Sequence, residues 1–210
     1  GSTRPIDAAE RVRLLAKLRE FRGFLERRLI GDALESFTAL DSEDALWAWH
    51  ARDPLGSDLR FFLTLVQDLS LQALGPGPGR YLSFGAYAQP GGGTALAPGL
   101  WRGEAQRLDA LDAHAITEDA THAWLAHARE PLHPLHGLTR PEPDKAGAYT
   151  WNKAPRLGGE VVETGAIARQ LASGMPRVRD AVARHGGTFY TRVLARLIEL
   201  ARVVPLMEGW

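Results

Sequence analysis

The chain has 210 residues, 45% of them apolar and 24% charged, a make-up that supplies a buried core and excludes global disorder. Lys plus Arg and Asp plus Glu balance at 25 each, which excludes a uniformly basic surface built for nucleic-acid phosphates or anionic lipid, though not a local patch. There is no cysteine, so disulfides, thiolate metal ligands and cysteine nucleophiles are excluded, while the redox compartment stays open.

Gly1-Ser2 looks like the remnant of a cleaved tag, so residues 3–210 are expected to form a single core domain shortened at one or both ends. From Asp7 to Ile30, Leu14, Leu18, Phe21, Leu25 and Leu29 recur at helical spacing, and Asp7 with Glu10 resembles a capping box. A second helix is expected over Ser42–His50. A third, more apolar, runs over Ser57–Leu74 with Leu59, Phe62, Leu63, Val66 and Leu69 on its buried side. Gly75-Pro76-Gly77-Pro78-Gly79 stops it, because proline lacks the amide donor and glycine tolerates angles other residues avoid.

Tyr81–Tyr87 and Thr94–Trp101, separated by Gln89-Pro90-Gly91-Gly92-Gly93, read as a β-hairpin. Thr117–Ala128 is expected to be helical, with Thr117 as N-cap and Glu118 and Asp119 in the first turn. Pro131–Gly159 holds too many prolines and glycines to be one regular element, and irregular segments on a rigid scaffold often carry binding groups. Beyond it, Glu163–Ala172, Pro176–His185 and Thr188–Val204 read as three helices, the last with Phe189, Val193, Leu197 and Leu200 on one face. The expected architecture is mainly α, a helical bundle with a small β-hairpin or sheet. The Asp7, Ser57 and Thr188 helices are expected to pack together. The apolar runs fall short of the ~20 residues of a membrane span and no signal peptide opens the chain, so a cytoplasmic protein without membrane insertion is expected.

Four stretches carry a family signal: Tyr81-Leu82-Ser83-Phe84-Gly85; Ile116-Thr117-Glu118-Asp119 with His122 and Trp124; His133-Pro134-Leu135-His136-Gly137-Leu138-Thr139-Arg140-Pro141; and Tyr149-Thr150-Trp151-Asn152-Lys153-Ala154-Pro155-Arg156 followed by Glu163-Thr164-Gly165-Ala166-Ile167-Ala168-Arg169. In this order and spacing they resemble the large subunit of nickel–iron hydrogenases. The resemblance implies the helical core of that subunit. In the family the metal centre is held by two C-x-x-C pairs, one near each end, and this sequence contains neither. Soft thiolates are what bind nickel and low-spin iron tightly, and His, Asp or Glu do not reproduce such a site.

Leu157 stands where catalytic subunits usually carry an aromatic residue, Glu163-Thr164-Gly165-Ala166 replaces the usual Glu-Val-Gly-Pro, and Asn152 replaces a common apolar residue. With Leu74-Gly75-Pro76-Gly77 and Leu197-Ile198-Glu199-Leu200-Ala201, these departures resemble the HupK/HoxV-type accessory proteins. That resemblance implies a non-catalytic scaffold or chaperone in hydrogenase maturation, with no cofactor in this chain and a transient iron–cyanide–carbonyl cargo in the full-length protein. It also implies Hyp-type chaperones or the large-subunit precursor as partners. The other reading is a trimmed, inactive central piece of a catalytic subunit.

The expected partner-facing residues are His133, His136, Arg140, Lys153 and Arg156, with no catalytic residue and no metal ligand among them. His133 and His136, with His122 and His127, read as a metal site or, more simply, as rings whose nitrogens hydrogen-bond backbone carbonyls in an irregular loop. Lys153 and Arg156 flank Ala154-Pro155, where proline keeps the chain extended. They read as two projecting cations or as internal salt bridges, for instance to Glu160 or Glu163. Most of the tryptophans are expected in the core. No G-x-S-x-G occurs for a serine hydrolase, and no G-K-[ST] follows Gly91–Gly93 for a nucleotide site.

Overall fold

Side-chain caps set the helical framework. The Asp7 carboxylate accepts from the Glu10 amide at 2.7 Å, Ser42 Oγ from Ala45 at 3.2 Å and Ser57 Oγ from Arg60 at 3.3 Å, while Thr188 and Thr191 form a reciprocal box. Each satisfies an amide that the first helical turn leaves open. The helices they start are α1 (Ala8–Phe24), α3 (Glu43–His50), α4 (Asp58–Asp68) and α7 (Phe189–Gly209). Among the described residues, α2 (Leu34–Thr38), α5 (Ala166–Ala172) and α6 (Pro176–His185) are the other α-helices. This computed structural model describes residues 6–126 and 130–210, so Gly1-Ser2, His127 and the end of the expected Thr117–Ala128 helix lie outside the described residues.

The chain divides into two units, one from the residues up to Gly77 with Ser173–Trp210, the other Pro78–Ala172. In the first, α1 runs into a π-helical turn, Leu25–Ile30, closed by Gly31 in the left-handed region at φ 81°. Leu25, Ile30, Leu34, Phe37, Leu46, Leu59, Leu63, Val66, Leu194 and Ile198 are all buried, each contributing about 1.5–3 kcal/mol by leaving water. α1, α4 and α7 share this unit as expected. Of the expected Asp7–Ile30 face, however, only Leu25 is buried: Leu18 and Leu29 are half-buried, Leu14 and Phe21 are exposed, and the helix is held to α7 by Arg22 to Glu208 at 2.8 Å. Leu69 is exposed because α4 stops at Asp68 and Ser70 turns left-handed, at φ 53°. In α7 the buried stripe is Tyr190, Leu194, Ile198 and Ala201, one residue on from the expected set. Both stripes recur at helical spacing, and the choice falls to tertiary contacts such as Tyr190 stacked on Trp47 at 6.1 Å. α7 also continues past Pro205, which interrupts only its last turns.

The second unit holds an antiparallel sheet of β1 (Arg80–Ala88), β2 (Thr94–Arg102) and β3 (Arg107–Asp109), in register Tyr81 to Trp101 and Leu100 to Asp109. α5, apolar apart from Arg169 and Gln170, packs Ile167, Ala168 and Leu171 into this unit's core. A second, two-stranded sheet pairs β4 (Ile116–Asp119) with β5 (Ala154–Leu157). The expected helix over Thr117–Ala128 is therefore wrong. Its amides are taken by distant chain, Glu118 by Leu132 and Trp124 by Thr150, and the β-branched start of Ile116-Thr117 suits a strand. Of the tryptophans only Trp49 and Trp101 are buried, and Trp151 and Trp210 are exposed, against expectation. Among the described residues no helix is long and apolar enough to cross a membrane.

Candidate functional site

The stretch Ala120–Ala126, a turn at Thr121-His122 followed by bridging residues, forms a spine that carries the irregular segment on both sides. Ala123 bridges Thr150 and Leu125 bridges Pro141, while Ala126 donates to Arg140 and Trp124 accepts from Glu142. Ala120, Ala123 and Leu125 form a small buried cluster beneath it. Lys145 pins the arrangement, its ammonium donating to the Ala120 carbonyl at 2.6 Å and to Leu125 at 2.8 Å. Nothing in its Pro-Asp-Lys-Ala-Gly surroundings signals that role.

At the head of the spine, Lys153 Nζ meets Glu118 Oε2 at 2.7 Å, with side chains only 14% and 27% exposed. β4 supplies Glu118, and Lys153 lies just before β5, whose register sets Glu118 opposite Pro155. Gly137 closes the third side: a Cβ there would lie 3.3 Å from Glu118 Oε2 and 3.6 Å from Lys153 Nζ. Three of the four signal-bearing stretches thus converge on one charge pair. They enclose a cavity of about 30 Å³, lined in part by Glu118, Glu130, Leu132, Leu138 and Lys153. Small-molecule sites run to roughly 300 Å³ or more, about ten times this volume. The fourth stretch, Tyr81–Gly85, instead lies beside Glu163, whose backbone exchanges hydrogen bonds with Leu82 and Arg80.

The expected site residues fall on one segment without forming one cluster. Lys153 is paired inward, and its partner is Glu118 rather than Glu160, which faces Arg80 and Arg102. Arg156 folds back onto the Pro155 carbonyl at 2.8 Å. Hydrogen bonds from Thr121 hold the Asp119 carboxyl below its usual range, and Arg156 adds to the effect. His133 sits in a turn in which Nδ1 accepts from the Leu135 amide at 3.2 Å, a backbone amide rather than the expected carbonyl, with its ring 6.1 Å from that of His136. His122 stacks on Tyr149 at 5.4 Å. His136 and Arg140 are exposed. The same segment presents Leu135, Leu138, Tyr149 and Trp151 to solvent, with Trp151 leaning on Trp124 at 5.3 Å. Leu135, Leu138 and Tyr149 stand outside the expected site residues, and Trp151, expected in the core with most of the tryptophans, is exposed. The signal for this apolar display was available in the spacing of large apolar residues through a proline-rich tract.

A nickel–iron centre needs soft thiolates. The chain has no cysteine, and among the described residues no three His, Asp or Glu side chains gather in a metal-binding group. The donors present do not fit that centre.

A family profile described as nickel-dependent hydrogenase matches residues 57–203. The quinone-reactive Ni/Fe-hydrogenase large chain of Wolinella succinogenes is 32% identical over 36% of this chain and 17% of its own length. The uptake hydrogenase large subunit of Afipia carboxidovorans is 31% identical over 38% of this chain and 16% of its own. Among solved structures, the Ni-Fe-Se hydrogenase of Desulfomicrobium baculatum superposes with a TM-score of 0.76 at 21% identity, covering 100% of this chain and 41% of that one. That of Desulfovibrio vulgaris Hildenborough gives 0.74 at 22%, covering 42% of its chain. The chain spans about two fifths of these structures, and the fold is theirs. By the profile match and the shared fold, the chain belongs to the nickel-dependent hydrogenase family.

Proposed function

We propose that this chain is a non-catalytic, large-subunit-like scaffold acting in nickel–iron hydrogenase maturation, where it meets a Hyp-type chaperone or the large-subunit precursor through Pro131–Arg156. The observation that carries the reading is a family core with no thiolate anywhere in its 210 residues. Its most signal-rich segment keeps its architecture through Glu118, Lys153 and Gly137 and presents Tyr149 and Trp151 outward. Exposed aromatic anchors of this kind dominate protein interfaces.

The experiment has two arms. Hydrogen-dependent dye reduction and nickel content after loading are expected to be nil, and one chelator-resistant nickel per chain would overturn the scaffold reading. In the second arm, Tyr149→Ser with Trp151→Ser is titrated against purified Hyp-type chaperones and the precursor. A loss of about 2 kcal/mol or more, roughly 30-fold in Kd, is expected with an unchanged melt. Equal binding would remove the surface assignment. A second reading, an inactive central piece of a catalytic large subunit, is favoured by the partial coverage of the solved relatives. The full reading frame separates the two, since a pair of C-x-x-C motifs flanking this core belongs to the catalytic subunit.

A further inference from the structure

Ala123 and Leu125 are buried, and the residues that alternate with them, His122 and Trp124, stand on the solvent side of the same stretch. Each meets a ring from the facing segment. Tyr149 stacks on His122 at 5.4 Å with 23° between the planes, and Trp151 leans on Trp124 at 5.3 Å and 52°. The bridge from Ala123 to Thr150 lies between the two pairs and sets them side by side. The backbone there is engaged: Trp124 donates to Thr150 and accepts from Glu142, and Tyr149 donates to His122. The result is a platform of four rings whose outer members, Tyr149 and Trp151, are 72% and 54% exposed.

Tyrosine and tryptophan rings that pack against protein usually also find a partner for their polar tip. The Trp49 indole does so with Asp32 at 2.9 Å, and that of Trp47 with Glu43 at 3.2 Å. Among the described residues, the indole N–H groups of Trp124 and Trp151 and the Tyr149 hydroxyl have no such partner. The charges on the flanking chain are of both signs and select no charged ligand: Arg140, Glu142 and Asp144 are exposed, and Arg156 and Asp119 offset each other.

We infer that this platform takes a proline-rich segment of the partner protein in the polyproline II conformation, seated across Tyr149 and Trp151 with its carbonyls accepting from the free indole and phenol groups. Such a chain has no internal hydrogen bonds, so its carbonyls are open, and proline has no N–H to leave unpaired. It is already extended and stiff, so docking on aromatic rings costs little ordering. Other occupants fit less well. A helix spends its backbone groups internally. A β-strand brings N–H groups as well, and the carbonyls of His122 and Trp124 beside the platform already accept. A sugar also stacks, but its hydroxyls donate as well as accept, and an indole N–H accepts nothing. The inference rests on the reading of Pro131–Arg156 as partner-facing and names the kind of segment it meets.

The test titrates the chain with a dye-labelled decaproline peptide, a Gly-Ser peptide of equal length and cellohexaose, read by peptide anisotropy and tryptophan fluorescence. Decaproline is expected to bind saturably, at least about tenfold tighter than the Gly-Ser peptide, and with little change as salt is raised. Tyr149→Ala and Trp151→Ala, exposed changes checked by thermal melt, are each expected to weaken it by about tenfold or more. Tyr149→Phe keeps the ring, removes the donor and is expected to weaken it about threefold. The inference is overturned by the absence of saturable decaproline binding, by equal binding of the two peptides, by unchanged binding in both alanine variants, or by a preference for cellohexaose. Its failure is distinct from failure of the maturation reading. If Tyr149→Ser with Trp151→Ser loses the chaperone while the parent ignores decaproline, only this inference falls. If the parent binds decaproline through these rings while the chaperone titration is unchanged, only the chaperone assignment falls.

Discussion

Replacing Lys153 with Met keeps the length of the side chain and removes the charge that faces Glu118 at 2.7 Å. At an effective dielectric of about 20, two unit charges at that distance attract by about 6 kcal/mol before desolvation is deducted. Exposed pairs net about 0–1 kcal/mol and loss of one partner from a fully buried pair costs about 3–5 kcal/mol. With Lys153 14% and Glu118 27% exposed, this pair falls between, and Lys153→Met should cost about 2 kcal/mol. For a chain of 210 residues that is a fall in Tm of about 4–8 °C, measurable by calorimetry or by urea unfolding followed by circular dichroism. Glu118→Gln alone should cost a comparable amount, while the double variant recovers most of the loss, because two neutral side chains leave no uncompensated charge. The reasoning fails if Lys153→Met melts with the parent, or if the two single losses simply add in the double variant.

Burial pulls the His50 imidazole below its ordinary pKa, so the folded state binds its proton less readily than the unfolded chain. Stability from this group is complete above about pH 6.5 and is lost as pH falls from there through the folded pKa, and His50→Gln should flatten the fall in Tm between pH 7 and 5. Arg177 is fully buried over the Phe37 ring, its guanidinium nitrogens lack hydrogen-bond partners, and burial pulls its pKa down to about 10. Arg177→Met should therefore stabilise the chain by about 1–4 kcal/mol, and a lower Tm would contradict the orphaned-cation account. Gly31 closes the π-helical turn at φ 81°, and a Cβ there would lie 2.8 Å from that of Ser57. Gly31→Ala should cost about 1–3 kcal/mol in a urea titration, and a neutral result would show that the turn relaxes freely.

What the sequence disclosed was local chemistry. Asp7, Ser42, Ser57 and Thr188 each cap the helix they were expected to start, and the glycine-rich tract between Ala88 and Thr94 turns the hairpin it was expected to turn. What it concealed depended on distant chain. Thr117-Glu118-Asp119 is a plausible helix start by composition, but the amide of Glu118 finds its acceptor at Leu132 and Asp119 pairs with Ala154, contacts that no periodicity encodes. The phase of α7 fails for the same reason. Two apolar stripes compete along it, and burial of Tyr190 beside Trp47 and His185 selects the one that spacing alone does not favour.

The site follows this division and gives it a functional meaning. Read along the chain, Glu118, Gly137 and Lys153 belong to separate stretches with separate apparent purposes: a helix start, a histidine loop and a pair of projecting cations. In space, a Cβ at Gly137 would stand tightly against Glu118 Oε2 at 3.3 Å and in ordinary contact with Lys153 Nζ at 3.6 Å, and Glu118 is needed because Lys153 is too buried to stand alone. Their interdependence is architectural, resting on a hydrogen-bonded charge pair and the space beside it. The exposed apolar residues of the segment are ones the pair does not hold: Leu135, Leu138, Tyr149 and Trp151, beside a stretch whose backbone is bonded at Ala123, Trp124 and Ala126. A rigid frame beneath exposed aromatic residues lowers the entropy lost on docking, which favours the partner-facing role proposed for Pro131–Arg156.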